Sequence, residues 1–82
     1  MSVTTQIKAE NAKVVTPNDN TKIAPTAGIY VGGSGNVAVT LVRMDDSENI
    51  VLTDLAAGII HPLVVKRVWN TGTTATDIVA VY

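Results

Sequence analysis

Beyond Pro25 the chain reads as short apolar runs cut by glycine and polar clusters. Residues 28–31 predict a short strand, and Gly32-Gly33-Ser34-Gly35-Asn36 predicts a flexible hairpin loop. Residues 37–43 alternate, with Val37, Val39 and Leu41 on one face, the period of a half-buried strand. Asp45-Asp46-Ser47-Glu48-Asn49 is a polar turn, 50–53 a further strand, and 54–58 a turn ending on Gly58. Residues 59–69 predict a long strand interrupted at Pro62. Proline has no N–H to give a ladder, so this segment is an edge strand or starts properly after Pro62. Residues 70–74 form a turn and 77–82 the last strand. Five strand signals at short, even spacing predict an all-β domain over residues 23–82, a small antiparallel β-sandwich or barrel, jelly-roll-like.

Residues 1–22 are mostly polar, with Val3, Ile7, Val14 and Val15 as the only sizeable apolar anchors. Ile7 and Val14 alone do not make a helical stripe, so the reading is an extended N-terminal arm. A polar arm with few anchors frays in isolation. It therefore lies on a partner or on its own β-domain. Acting as a clamp on a partner, it would be removable: deleting residues 1–20 should weaken attachment and leave the β-domain folded.

Several strands are apolar on both faces, among them Leu63-Val64-Val65 and Ile78-Val79-Ala80-Val81. A strand with one solvated face alternates instead. About 60 residues of β-domain bury only ~60% of the unfolded chain's surface. Both points predict an oligomer, a trimer or pentamer, or a chain bound to a larger surface. Lys66 and Arg67 are neighbours in a strand and so point to opposite faces, which sets one of them on an apolar face. They read as a solvated edge or as a salt bridge to a neighbouring subunit. Trp69 is either core filler or an interface anchor, since Trp and Arg are both enriched at such anchors. The candidate interface residues are Val3, Ile7, Val14, Val15, Lys66, Arg67, Trp69 and Tyr82.

Composition narrows the function. Of 82 residues, 31 are Val, Ile or Thr, which suit pleated strands. Net charge is −1 with only 16% charged residues, which argues against a phosphate-driven nucleic-acid binder. The absence of cysteine excludes disulfides, thiol catalysis and Cys-based metal sites. No basic segment leads an apolar run at the start, and no apolar run nears the ~20 residues that span a bilayer. The expectation is a chain made and used in a cytosol-like setting, with no nucleic-acid or membrane partner.

Chemical sites are weak one by one. His61, the only histidine, has no nucleophile or ligand set beside it in sequence. Asp45, Asp46 and Glu48 are acidic enough for calcium but lack the loop pattern of a calcium site, and read as solvated turn residues. The glycine cluster leads into a strand, not a helix, and has no lysine, so it is no phosphate loop. The hydroxyls of residues 71–76 lack an adjacent base and read as a self-capped turn. No catalytic, cofactor or metal residue emerges, and the expectation is a chain without enzymatic activity or cofactor.

Two stretches are distinctive. One is Lys66-Arg67-Val68-Trp69-Asn70-Thr71-Gly72-Thr73-Thr74-Ala75-Thr76 with the closing strand Asp77-Ile78-Val79-Ala80-Val81-Tyr82. The other is Ala24-Pro25-Thr26-Ala27-Gly28-Ile29-Tyr30-Val31-Gly32, followed by Val37 to Leu41. With Ala57-Gly58 and Pro62, they resemble small virion proteins of tailed phages, above all the head spike base protein of gene transfer agents and related phages. The resemblance covers residues 23–82. It implies a capsid-exterior protein, assembled in the host cytoplasm, with no catalytic or metal residues. It implies the major capsid protein as partner, with a spike or fibre protein as a further one. Cement protein and vertex spike base both fit. The reading from another class is a small ligand- or carbohydrate-binding β-module, a monomer with a concave polar site and exposed aromatics drawn from Trp69, Tyr30 and Tyr82. An enzyme is a distant third.

Overall fold

The computed structural model describes residues 9–82. They form seven strands and no helix: β1 (Ala12–Val14), β2 (Gly28–Gly33), β3 (Gly35–Leu41), β4 (Ile50–Leu55), β5 (Ile60–His61), β6 (Val65–Trp69) and β7 (Thr76–Val81). Two sheets result, one ordered β1-β7-β2-β5 and one ordered β4-β3-β6. Every strand pairing is antiparallel. The fold is an all-β sandwich. Ile29, Val31, Ile78 and Ala80 from the four-stranded sheet meet Val37, Val39, Val65 and Val68 from the three-stranded sheet in one core. Val37, Val39 and Leu41 share the inward face, as their alternation predicts.

The glycine cluster differs from expectation. Gly33 and Gly35 lie in strands, only Ser34 separates them, and β2 and β3 belong to different sheets. The segment is a corner between sheets, not a hairpin loop. Its glycines are set by close approach: a Cβ on Gly35 would stand 2.7 Å from the backbone N of Ala75. Pro62 has a larger effect than expected. It ends β5 in one sheet, and residues 62–64 carry the chain across to β6 in the other, so the long strand becomes two.

Thr26 secures that crossing. Its buried hydroxyl donates to the Leu63 carbonyl at 2.8 Å and accepts from the Val65 N–H at 3.0 Å.

Two bulges shape the three-stranded sheet. Thr40 pairs with Arg67 but Leu41 pairs with Val65, so Lys66 is the extra residue. The bulge lets Val65 and Val68 both face the core at a spacing of three. Lys66 and Arg67 therefore do not split between faces, and neither enters the core. A second register shift, between Gly35 and Val37, opposes β4 near Asp54, whose φ is 57°. Asn36 Oδ1 accepts the Asp54 N–H there.

The arm, where described, is a strap built into the sandwich. Its first half is β1, paired on the edge of β7 from Ala12↔Val81 to Val14↔Val79. Val15 follows into the core at 8% exposure, with its N–H on the Ile78 carbonyl. The strap then crosses to the other sheet and runs along the free edge of β6. The N–H groups of Asn18, Ile23 and Thr26 donate to the carbonyls of Val68, Lys66 and Val65. Asp19 accepts from the N–H groups of Asn70 and Thr71 and from the Thr71 hydroxyl. Those bonds hold its carboxyl below the usual range. Removal of residues 1–20 would thus strip a strand and a core residue, contrary to the expectation of a separable clamp.

Candidate interaction surface

Register defines the outer face of the four-stranded sheet. Val14 pairs with Val79, Val79 with Tyr30, and Tyr30 with Ile60. Direct partners in antiparallel strands share a face. Ile29, Val31, Ile78 and Ala80 point inward, so this row points outward. The result is one apolar row across all four strands. Val14 is 79% exposed and Ile60 42%. Gly28 keeps the row continuous with Val81, because a Cβ there would meet Ile60 Cγ2 at 2.8 Å and Val81 Cγ2 at 3.2 Å. Ile59, also exposed, borders the row. Two-sided apolarity in 78–81 is real: Ile78 and Ala80 face the core, while Val79 and Val81 take the opposite face, where Val79 is half-buried and Val81 is covered to 6% exposure. In residues 63–65 it resolves differently, since only Val65 is fully buried and Val64 is exposed.

The predicted interface residues are dispersed. Val3 and Ile7 lie outside the described residues. Val14 is on the apolar row, while Val15 is occupied in the chain's own core. Lys66 is tied within the chain, donating to the Met44 carbonyl at 2.6 Å and pairing with Asp46 at 2.8 Å. Arg67 and Trp69 come together on the outer face of the three-stranded sheet. The guanidinium lies 5.0 Å from the indole centroid, and the indole N–H donates to the Thr40 hydroxyl. Tyr82 continues the β1–β7 pairing, exchanging backbone bonds with Asn11. Val79, Tyr30 and Ile60 are not among those residues. The signal was the apolar 78–81 run itself, but the row exists only once register is known.

The weak chemical sites have structural roles. Asp46 is gripped by the ammonium groups of Lys22 and Lys66, which hold its carboxyl at about 2. Lys22 thereby staples the strap to the β3–β4 turn. Asp45 accepts from the Ser47 N–H and hydroxyl, and these bonds lower its carboxyl. The Thr73 hydroxyl is inserted into the β3–β6 ladder, accepting from the Ala38 N–H at 3.0 Å and donating to the Trp69 carbonyl. His61 bonds the Ala56 carbonyl through Nε2 at 3.0 Å. Among the described residues no three His, Asp or Glu side chains converge.

A groove of about 380 Å³ opens where the strap leaves β1, with Lys13 at its side and Val15, Ile23, Ala80 and Tyr82 on its walls. The three aromatics do not form a stacking platform. Tyr30 is on the outer face of one sheet, Trp69 on that of the other, and Tyr82 beside the groove.

The chain matches no protein-family model, and no curated protein matches it.

Proposed function

We propose that this chain is a non-enzymatic structural protein of a tailed-phage capsid exterior, a cement protein or vertex spike base that fastens to the major capsid protein. The observation that carries the reading is the outward apolar row Val14–Val79–Tyr30–Ile60. A rigid sheet face of this kind suits adhesion to a large surface. Supporting it, the clustered polar groups are engaged in holding the strap and turns. The resemblance of residues 23–82 to head spike base proteins supports a place on the capsid exterior. Many copies on a lattice gain by multivalency, so one modest patch per copy suffices.

An antibody against the chain should label the outside of phage particles from cultures that produce it. The double variant Val14→Glu with Ile60→Glu should melt like wild type and lose the label. Abundant protein in the lysate with unlabelled particles would refute the reading. The second reading, a small-ligand module, is favoured by one observation, the groove beside Lys13. Its apolar walls and single ammonium suit a small carboxylate with an apolar body.

A further inference from the structure

We infer that two copies of this chain pair through their β4 strands, antiparallel about a twofold axis, joining the three-stranded sheets into one six-stranded sheet. The inference goes beyond the capsid reading and uses a different surface.

The argument starts from the four sheet edges. An uncovered edge offers unpaired N–H and C=O groups to any extended chain. β1 is three residues long, and β5 is two and stops at Pro62. The edge of β6 is covered by the strap, through the bonds of Asn18, Ile23 and Thr26. β4 is left: six residues, no proline, no lysine, and mostly exposed side chains.

The free groups of β4 follow from the ladder. Ala38 gives its N–H to Thr73 on the β6 side, and the Lys66 and Val68 carbonyls point away from β3 to the strap. Residues along an antiparallel strand alternate in the side to which their backbone groups point. Ala38 and Thr40 therefore face β6, and Val37 and Val39 face β4. Their partners Leu52 and Ile50 bond back to β3. Val51 and Thr53 then direct their N–H and C=O groups outward, and among the described residues nothing accepts or supplies those bonds.

A second copy fits this edge best. Among the described residues β4 is the one long edge left open, β1 and β5 being short; a head-to-tail ring needs a second edge to match it, whereas a twofold pairing uses β4 alone. This favours a dimer over the trimer or pentamer expected from sequence. Centred on Leu52, the pairing sets Val51 against Thr53 of the second copy in bonded pairs, and Leu52 against Leu52. Ile50 and Val51, 47% and 43% exposed, gain cover. The one charge, Asp54, falls opposite Ile50. The two Asp54 carboxylates are then four residues apart, about 13 Å along the strands. That exceeds the screening length of about 8 Å at physiological salt.

The test is sedimentation and light scattering from micromolar to millimolar concentration, with amide exchange at both ends. Wild type should approach twice its 8.6 kDa mass, and the Val51 and Thr53 amides should gain protection as it does. Val51→Pro removes an outward N–H that β3 does not use, and should raise the dimer dissociation constant about ten-fold or more. Val51→Lys leaves the backbone intact and should do the same, with an unchanged melt of the dilute protein. A wild-type monomer at every concentration, a trimer or pentamer, or a dimer unaffected in both variants would overturn the pairing. Any of these would leave the outer apolar row, and the labelling experiment on it, untouched.

Discussion

Thr26→Val tests how the chain is held where it changes sheets. The two side chains are close in shape, so packing is largely kept. The variant loses both hydroxyl bonds, to the Leu63 carbonyl and from the Val65 N–H. Val65 is 0% exposed, so water cannot replace its lost acceptor. A buried donor left unpaired costs about 1–3 kcal/mol. Leu63 is only partly buried, so its carbonyl adds less. The expected loss is about 2–3 kcal/mol. For a domain of this size that lowers Tm by about 8–24 °C. Thr26→Ser is the control: it keeps the hydroxyl, drops one buried methyl, and should cost about 1 kcal/mol. Thermal and urea melts followed by circular dichroism give both numbers. The reasoning fails if the valine variant is as stable as the serine variant or more stable.

Three further outcomes follow from the same packing. Gly35→Ala should cost about 1–3 kcal/mol in a urea melt, because its new methyl meets the Ala75 backbone, whereas Gly33→Ala should cost less, because the Thr76 hydroxyl it meets can rotate away. A chain begun at residue 17 loses β1 and Val15 and should lose at least about 2 kcal/mol, whereas one begun at residue 9 keeps every described contact. The Asp46 carboxyl is depressed from 3.8 to about 2 by Lys22 and Lys66, so the staple between strap and turn is fully present above pH 3.8 and is lost as pH falls through about 2. Carboxyl-carbon NMR should place the Asp46 midpoint there, and Lys22→Met should raise it.

What could be read from the sequence was what local rules control. The alternation of Val37, Val39 and Leu41 gave the inward face of β3, and the acidic turn at 45–49 is the hairpin that it resembles. Non-local register decided the rest. Gly32 to Asn36 has hairpin composition, yet its glycines answer to Ala75 and Thr76, distant in the chain where β7 begins. Lys66 and Arg67 looked like a conflict between faces until a bulge, set by the register of β3 against β6, removed it. The outer row joins residues 14, 30, 60 and 79, and no window along the chain contains that pattern. Val14 and Val15 look alike in sequence, yet neighbours in an extended chain part to opposite faces, here one outward and one into the core.

The strap also constrains the order of events in folding. β7 lies between β1 and β2, and Ala12 meets Val81. During synthesis the four-stranded sheet lacks an interior strand until residues 76–81 have left the ribosome. Until then β2 can hold only the two-residue β5, and the strap has one of its two edges missing. Among the described residues the hairpin β3–β4 is the only pairing between strands consecutive in the chain, and closing the long loop from β1 to β7 comes before any reward from its contacts. Folding should therefore be late, concerted and slow for so short a chain. The half-made form would show its apolar strands to its neighbours, which makes the nascent chain, more than the finished sandwich, the stage at which aggregation threatens.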